Sequence, residues 1–282
     1  MKTTLITATE LAALPPAKVL IVDCRFDLAD AGKGERDYRA GHIAGAVYAS
    51  LDHDLSDLSR QSLGLGRHPL PLEADFAAVL GRWGWHPDLQ VVAYDAAGGA
   101  LAAARLWWLL RLVGARAVAV LDGGLGAWTA AGLPLETALP ERAPTQVAIH
   151  YDAAQLILDH AAVTARPGQL LLDARAAPRY RGDTEPLDRV GGHVPGARNR
   201  PFADNLAADG RFKSAGELRR EFLTVVEGHA PSQVVHSCGS GVTACHNLLA
   251  MEHAGLAGSR LYAPSWSGWV SDPSRPVATG PG

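Results

Sequence analysis

The chain has 282 residues, of which 48% are hydrophobic and 20% are charged, and its formal net charge at pH 7 is −3. This length is enough for one large domain or two ordinary ones, and the mixed charges argue against a nucleic-acid-binding face, so we expect a small-molecule substrate. The N-terminus has no secretory signal pattern and no apolar stretch is long enough to cross a membrane, so we expect a cytoplasmic protein without membrane contact.

Three sequence patterns of the first half recur in the second half in the same order. They are an apolar strand ending in Asp-x-Arg, a Gly-His-x-x-Gly-Ala turn and a second apolar strand. The pairs are residues 20–25 and 170–175, 41–46 and 192–197, and 91–95 and 234–238. A repeat of about half the chain length predicts two domains that share one fold.

Short segments rich in Val, Leu and Ile alternate with longer helical patterns, for example at residues 101–113 and 217–226. This alternation favours a parallel sheet with crossover helices. Residues 137–145 are polar and contain prolines, which is typical of a linker. We therefore expect an α/β protein with two tandem domains, residues 1–145 and 146–282, each a small doubly wound parallel sheet flanked by helices.

Cys24, Cys238 and Cys245 are the chain's three cysteines. They are too few and unsuitably spaced for a disulfide framework or a Cys₄ zinc site, and we expect neither a metal nor an organic cofactor. Cys24 follows a predicted strand and Cys245 lies inside a predicted helix, so both are interpreted as structural thiols. Cys245 is also a candidate redox partner of Cys238, if its side chain turns toward that residue.

Cys238 stands directly after the apolar strand at residues 234–237 and before a predicted helix. Sites of open α/β sheets form at the carboxyl ends of strands. Gly239 and Gly241 allow the loop to turn its backbone N–H groups toward the sulfur, and a helix N-terminus behind it favours a thiolate. The sequence thus predicts a nucleophilic cysteine in the second half, whereas the first half has Asp95 at the equivalent position.

With this loop and the repeated turns, the whole chain resembles the tandem-domain rhodanese superfamily. The loop at residues 238–243, Cys-Gly-Ser-Gly-Val-Thr, is similar to that of the 3-mercaptopyruvate sulfurtransferases. The resemblance implies two rhodanese-like domains, a persulfide carried on Cys238, and a first domain without catalytic function. It also implies that the sulfur donor is bound by loop residues, namely Gly239, Gly241, Val242 and Thr243.

The resemblance leaves the sulfur donor open between 3-mercaptopyruvate and thiosulfate. Thiosulfate-preferring rhodaneses typically have Cys-Arg-Lys-Gly-Val-Thr, with cations suited to a dianion, whereas Gly239 and Ser240 are neutral. We therefore expect transfer from 3-mercaptopyruvate, with thiosulfate:cyanide sulfurtransferase as the alternative. The expected acceptor is cyanide, a thiol or a thioredoxin-like protein, and we expect a monomer because two fused domains already supply a shared cleft.

Further residue roles come from the same resemblance. Arginines after the strand ending at Asp173 would hold the donor's carboxylate, and a serine-histidine-aspartate relay would assist proton movement, with its histidine and acid from the first domain. The matching arginines are Arg179, Arg181 and Arg189. The matching relay residues are Ser240, His68 and Asp52.

Two other classes of protein remain as weaker alternatives. Dual-specificity phosphatases of a similar fold use Cys-x₅-Arg, but the sixth residue after Cys238 is Ala244. A non-catalytic binding module would fit the first domain, but Cys238 argues against it for the whole chain. His42 and His193 occupy both repeated turns although only one half has the nucleophile, so we predict structural roles for them.

Overall fold

The structure is a computed structural model that describes residues 1–164 and 168–281. The chain forms two compact units, and each is built from several segments. The first unit contains Met1–Asp57, Leu70–Asp152 and Ala208–Phe212. The second unit contains Leu58–Pro69, Ala153–Ala207 and Lys213–Gly282.

The first unit is built on a five-stranded parallel sheet with strand order β1-β6-β5-β2-β4, and β3 pairs with β7 in a separate antiparallel ribbon. A 3₁₀ helix at Pro16–Lys18 leads into its second strand. The elements in chain order are β1 Leu5–Ile6, α1 Ala8–Ala12, β2 Val19–Asp23, α2 Lys33–Ala40, β3 His42–Ile43, β4 Val47–Tyr48, α3 Glu73–Arg82, β5 Gln90–Tyr94, α4 Ala103–Leu112, β6 Val118–Leu121, α5 Gly124–Ala130 and β7 Leu135–Glu136.

The second unit repeats this topology with strand order β8-β12-β11-β9-β10, again all parallel. Its elements are β8 Leu156–Ile157, α6 His160–Thr164, β9 Leu170–Asp173, α7 Ala177–Arg181, β10 Arg198–Asn199, α8 Ala215–Val226, β11 Val234–Ser237, α9 Ala244–His253, β12 Arg260–Tyr262 and α10 Ser265–Trp269. Its 3₁₀ helices are Leu58–Leu63, Ala153–Gln155, Phe202–Asn205 and Pro231–Gln233. The predicted α/β class and the predicted repeat are confirmed.

The central strands of both sheets are buried along their whole length, which explains their continuous apolar sequences. In the first unit, Asp23 at the end of β2 pairs with Tyr94 at the end of β5. In the second unit, Asp173 at the end of β9 pairs with Ser237 at the end of β11. The strands therefore end in register, and the residue that follows β11 emerges at the carboxyl edge of the sheet.

The repeated Asp-x-Arg pattern ties each strand end to the repeated Gly-His turn. In the second unit, Arg175 Nη2 donates to Asp173 Oδ2 at 2.5 Å and to the Gly192 carbonyl at 2.6 Å. In the first unit, Arg25 makes the equivalent pair of bonds, each 2.7 Å long, to Asp23 and to the Gly41 carbonyl. A buried arginine needs such partners, which explains why the three residues recur together.

His42 and His193 have the structural roles that the sequence predicts. Each ring stacks on a tyrosine of the preceding helix, with centroids 4.1 Å apart for Tyr38 and His42 and 3.8 Å apart for Tyr180 and His193. Each Nδ1–H donates to the carbonyl of that same tyrosine. Both imidazoles are fully buried, so they are packing elements of the repeated turn.

The units divide the chain differently from the predicted boundary at residue 145. Residues up to Asp152 belong to the first unit because they bond to it: Thr145 N–H donates to the Gly81 carbonyl, and Tyr151 N–H donates to Glu73. The segment Leu58–Pro69, from the predicted first domain, belongs to the second unit. His68 therefore lies in the same unit as Cys238.

No helix among residues 1–164 and 168–281 is long and apolar enough to cross a membrane. Trp107, Trp128 and Trp269 are buried within their units. Trp107 Nε1 donates to the Thr3 carbonyl, and Trp128 and Trp269 each donate to a proline carbonyl that follows them in the chain. Each indole N–H thus has a partner inside the core, as a buried tryptophan requires.

Candidate active site

Cys238 follows β11 at the carboxyl edge of the second unit's sheet, and only 2% of its surface is exposed. Its backbone N–H donates to Ser265 Oγ at 3.1 Å, and that hydroxyl donates to the Tyr262 carbonyl at 2.9 Å. The cysteine is therefore held between the end of β12 and the start of α10. This is the strand-end position predicted from the sequence.

The first turn of α10 fixes the loop after Cys238. Trp266 N–H donates to the Cys238 carbonyl at 2.9 Å, and Ser267 N–H donates to the Gly239 carbonyl at 2.8 Å. Ser265 adopts a positive φ of 51°, which is uncommon for a residue with a Cβ. This conformation lets one serine accept the Cys238 N–H while its neighbours bond to the loop carbonyls. Ser265 was not among the residues predicted from the sequence.

Gly241 is required by the backbone of this loop. Its φ is 75°, and a Cβ at this position would lie 2.4 Å from the Ala263 carbonyl oxygen. No side chain fits at that distance. Val242 is buried, and Thr243 is half-buried just before α9 begins.

The loop offers backbone donors near the sulfur. Within the part of the chain that the structure describes, the backbone N–H groups of Gly239, Ser240, Val242 and Thr243 have no hydrogen-bond acceptor. Buried N–H groups are almost always paired in folded proteins, so these donors are available to an anion.

The first unit contains an occupied version of such a loop. The carboxylate of Asp95, the equivalent of Cys238, is fully buried and accepts backbone N–H bonds at 2.8–3.2 Å. The four donors are Ala97, Gly99, Leu101 and Ala103. In the first unit, the Asp95 carboxyl group therefore occupies a loop of inward-facing N–H groups, although burial raises its pKa. We call the corresponding N–H groups of Gly239, Ser240, Val242 and Thr243 in the second unit the amide cradle.

Ser240 and His68 lie together, as the sequence predicts, although both belong to the second unit. Ser240 Oγ and His68 Nδ1 are 2.7 Å apart, and both residues are buried. The pair can exchange a proton, with the serine on the nucleophile's own loop. Asp52, the third predicted member of the relay, is half-buried in the turn after β4 of the first unit, and its role stays a prediction.

The three predicted donor-binding arginines have different surroundings. Arg179 forms a two-pronged bond to Glu185, with Nε 3.1 Å from Oε2 and Nη2 2.7 Å from Oε1. Arg181 is on the surface with Asp183. The exposed Arg189 donates to the Val270 carbonyl at 3.4 Å. A Cβ built on Gly239 would lie 3.6 Å from Arg179 Nη2, which places Arg179 against the active loop.

Two acidic residues that sequence reasoning did not assign hold this arginine. Asp188 Oδ2 accepts from Arg179 at 3.1 Å, and Asp188 Oδ1 lies 2.5 Å from Arg67 Nη1. Burial raises the pKa of Asp188 above its ordinary value, although the Arg67 cation acts to lower it. Burial also acts to raise the pKa of Glu185, but hydrogen bonds from Arg179 and from backbone N–H groups hold it below its ordinary value.

Arg175 provides a further positive charge close to the nucleophile. Its guanidinium interacts electrostatically with Cys238 and lies over the Trp266 ring, 4.6 Å from the centroid. Trp266 itself is buried, and its Nε1–H donates to the Val190 carbonyl. The aromatic ring therefore supports Arg175 from within the core.

The two other cysteines have enclosed thiols. Burial raises the pKa of the Cys24 thiol well above its ordinary value, which disfavours the reactive thiolate. The Cys245 thiol donates to the Gly241 carbonyl one turn earlier, at 3.4 Å. Within the described ranges, 1–164 and 168–281, no group of three or more His, Cys, Asp or Glu residues has the arrangement of a metal site.

Comparisons with known proteins agree with this geometry. The family model of the rhodanese-like domain matches residues 7–131. A "Probable 3-mercaptopyruvate sulfurtransferase" of Pseudomonas aeruginosa is 49% identical over 98% of this chain and 98% of its own length. A "Putative thiosulfate sulfurtransferase SseB" of Mycobacterium tuberculosis is 41% identical over 98% of this chain and 97% of its own.

Among solved structures, the 3-mercaptopyruvate sulfurtransferase from Leishmania major matches with a TM-score of 0.83 and 34% identity. The match covers 96% of this chain and 76% of that one. The full-length relatives and the solved structure thus extend over both repeated sheets, and the family model covers the first. The chain belongs to the tandem-domain rhodanese superfamily of sulfurtransferases.

Proposed function

We propose that this sulfurtransferase moves sulfur from 3-mercaptopyruvate to a thiophilic acceptor through a persulfide on Cys238. The observation that carries the proposal is the pairing of Ser240 with His68, 2.7 Å apart, on the loop that presents Cys238. A sulfur leaving a carbon atom needs a proton for that carbon, whereas a sulfur leaving sulfite does not. The site has a proton donor that only the first reaction uses.

In the first half-reaction the Cys238 thiolate attacks the donor's thiol sulfur. A sulfur–sulfur bond forms, the carbon–sulfur bond breaks, and its electron pair stays on the carbon as the enolate of pyruvate. The proton from the donor's thiol returns to this carbon by way of Ser240 and His68, which gives pyruvate and a Cys238 persulfide anion. The amide cradle and Arg175 stabilise that anion.

In the second half-reaction the acceptor takes the outer sulfur. Cyanide attacks it, the sulfur–sulfur bond breaks, and thiocyanate and the Cys238 thiolate result. A thiol or thioredoxin-like acceptor takes the same sulfur as its own persulfide. Each half-reaction leaves the enzyme ready for the other, so the kinetics are ping-pong.

Mass spectrometry after donor treatment tests the persulfide. The peptide that contains Cys238 is expected to gain the mass of one sulfur atom, and cyanide is expected to remove it. Cys24→Ser and Cys245→Ser are matched controls that keep the gain, and Cys238→Ser abolishes it. A gain on Cys24, or full turnover by Cys238→Ser, contradicts the mechanism.

Thiosulfate:cyanide sulfurtransferase is the second candidate function, and the charge around Gly239 favours it. Two guanidinium groups, those of Arg67 and Arg179, lie against this glycine. The Mycobacterium tuberculosis relative also has a thiosulfate-based name. Side-by-side kinetics with the two donors, and cyanide as acceptor, decide between the reactions.

The remaining parts of the proposal concern the setting of the reaction. We expect a monomer in the cytoplasm without nucleic-acid or membrane partners, and sedimentation at several concentrations tests the monomer.

Arg179 holds the donor's carboxylate, with Arg181, Arg189 and the loop residues as further proposed contacts. Asp52→Asn tests the third relay position through a loss of turnover with 3-mercaptopyruvate.

A further inference from the structure

Two guanidinium groups occupy the space in front of Gly239, the residue next to the nucleophile. A Cβ built on Gly239 would lie 3.1 Å from Arg67 Nη2 and 3.6 Å from Arg179 Nη2. A side chain at position 239 would therefore project into these two cations. Arg67 comes from the segment Leu58–Pro69, far from Gly239 in sequence, and its backbone N–H is bonded to Ser267 Oγ at 2.9 Å.

Asp188 joins the two arginines. One carboxylate oxygen lies 2.5 Å from Arg67 Nη1 and the other 3.1 Å from Arg179 Nη2. Only 4% of the Asp188 side chain is exposed, compared with 24% for Arg67 and 19% for Arg179. The carboxylate is thus the enclosed partner, and both guanidinium groups keep an accessible part.

Arg67 has hydrogen bonds left to give. Its Nη1 donates to Asp188, but among residues 1–164 and 168–281 neither Nε nor Nη2 has an acceptor. Nε is buried, whereas Nη2 is the atom that faces Gly239. A guanidinium with an unused N–H beside a nucleophile is suited to bind an anionic oxygen.

We propose that Arg67 binds the anionic group of the sulfur donor, and that the Arg67–Asp188 pair sets the preference between donors with one and with two negative charges. The inference rests on the proposed persulfide transfer at Cys238. Arg67 supplies through space the cation that the neutral Gly239 does not supply from the loop. The loop residues are neutral, but the site contains positive charge because Arg67 and Arg179 lie next to Gly239.

The physical reason is that Coulomb energy scales with the product of the charges. Loss of the Arg67 cation weakens binding of the thiosulfate dianion more than binding of the mercaptopyruvate monoanion. Loss of the Asp188 carboxylate has the opposite effect on the preference, because a repulsion that is stronger for the dianion disappears. Opposite shifts from two residues in contact are the signature of this arrangement.

Steady-state kinetics with thiosulfate and with 3-mercaptopyruvate, at constant ionic strength and with cyanide as acceptor, test the proposal. Arg67→Gln is expected to lower kcat/KM for thiosulfate about tenfold more than for 3-mercaptopyruvate. Asp188→Asn is expected to shift the ratio of the two kcat/KM values toward thiosulfate. Arg220→Gln, an exposed arginine on α8, is the matched control and leaves the ratio unchanged.

Arg67→Lys separates charge from packing, because it keeps the cation and is expected to retain most of the kcat/KM for thiosulfate that Arg67→Gln loses. If Arg67→Gln does not fold, Arg67→Lys and Asp188→Asn still test the proposal. An unchanged donor ratio in Arg67→Gln and Asp188→Asn, or a shift in the same direction in both, overturns the proposal. Persulfide formation on Cys238 of the unmodified enzyme is measured in parallel. Its absence with both donors refutes the proposed function, whereas its presence with unshifted ratios refutes only the role of Arg67 and Asp188.

Discussion

Ser240 has two neighbours that determine its chemistry, Cys238 two residues before it and the His68 ring 2.7 Å from its hydroxyl. Both side chains of the serine–histidine pair are enclosed, with 6% and 5% exposure, so bulk water does not easily replace them. A proton that moves between them stays next to the donor. This is the arrangement that a carbon leaving group needs.

Ser240→Ala is expected to lower turnover of 3-mercaptopyruvate about a hundredfold, because the enolate carbon loses its proton donor. Turnover of thiosulfate is expected to change little, since sulfite leaves as a stable anion. Parallel assays with both donors measure the effect. Ser237→Ala, whose hydroxyl faces the Leu172 carbonyl, is the control. Equal losses with both donors would show that Ser240 only shapes the loop.

At the scale of elements, the active loop depends on a close approach to the end of β12. Gly241→Ala places a methyl group 2.4 Å from the Ala263 carbonyl oxygen at a φ of 75°. The comparison is Gly196→Ala, because Gly196 has a φ of 80° but nothing within 4 Å of the added carbon. Both variants place an alanine in the left-handed region, which is unfavourable for a residue with a Cβ. Only Gly241→Ala also creates a steric clash, with the Ala263 carbonyl oxygen.

We expect Gly241→Ala to lower the free energy of unfolding by about 1–3 kcal/mol more than Gly196→Ala does. Denaturant titration followed by fluorescence measures the difference. Gly241→Ala is also expected to abolish persulfide formation, because the loop that presents Cys238 shifts. Equal stability of the two variants would contradict the required approach of Gly241 to Ala263.

The strand that leads to the nucleophile contains an unusual residue. His236 in β11 is fully buried, and neither ring nitrogen has a hydrogen-bond partner in the described part of the chain. A buried polar group without a partner reduces stability, so His236→Leu is expected to raise the free energy of unfolding by about 1–3 kcal/mol. Chemical denaturation at neutral pH measures this gain, and a loss of stability would show a hidden role for the imidazole.

The same residue predicts a dependence on pH. Burial lowers the pKa of His236 from 6.5 to about 3, so between these values the unfolded chain binds a proton that the folded chain does not. Stability therefore falls as the pH drops below about 6.5, by up to about 1.4 kcal/mol per pH unit from this group. His236→Leu is expected to reduce that slope.

At the scale of the whole molecule, the sequence repeat was sufficient to predict the fold. The two sheets have one strand order because the same apolar segments recur in the same order, and the Asp-x-Arg pattern recurs because Arg175 and Arg25 each tie a strand end to a Gly-His turn. The position of Cys238 at the carboxyl end of a strand was predictable because strand, cysteine and glycines are consecutive. Local sequence carries this information.

Contacts between distant segments could not be predicted in this way. Arg67 and Asp188 meet beside Gly239, although 121 positions separate the two charged residues. The sequence places His68 and Arg67 in the first half, whereas their segment packs with the second unit. The loop sequence predicted no cation at residues 239 and 240 themselves, and packing brings Arg67 to Gly239 in addition to the expected Arg179.

The carboxylate of Asp95 has a consequence for hydrogen exchange. Its oxygens accept backbone N–H groups from Ala97 to Ala103, in a segment that is mostly loop, so these amides should exchange slowly with deuterated water. Among the described residues, the backbone amides of Gly239, Ser240, Val242 and Thr243 have no such fixed partner, so they should exchange faster in the sulfur-free enzyme. A Cys238 persulfide anion should slow them and leave residues 97–103 unchanged. Mass-detected hydrogen exchange before and after donor treatment measures both segments in one sample. The exchange rate at residues 97–103 is then the internal reference against which persulfide formation on Cys238 is read.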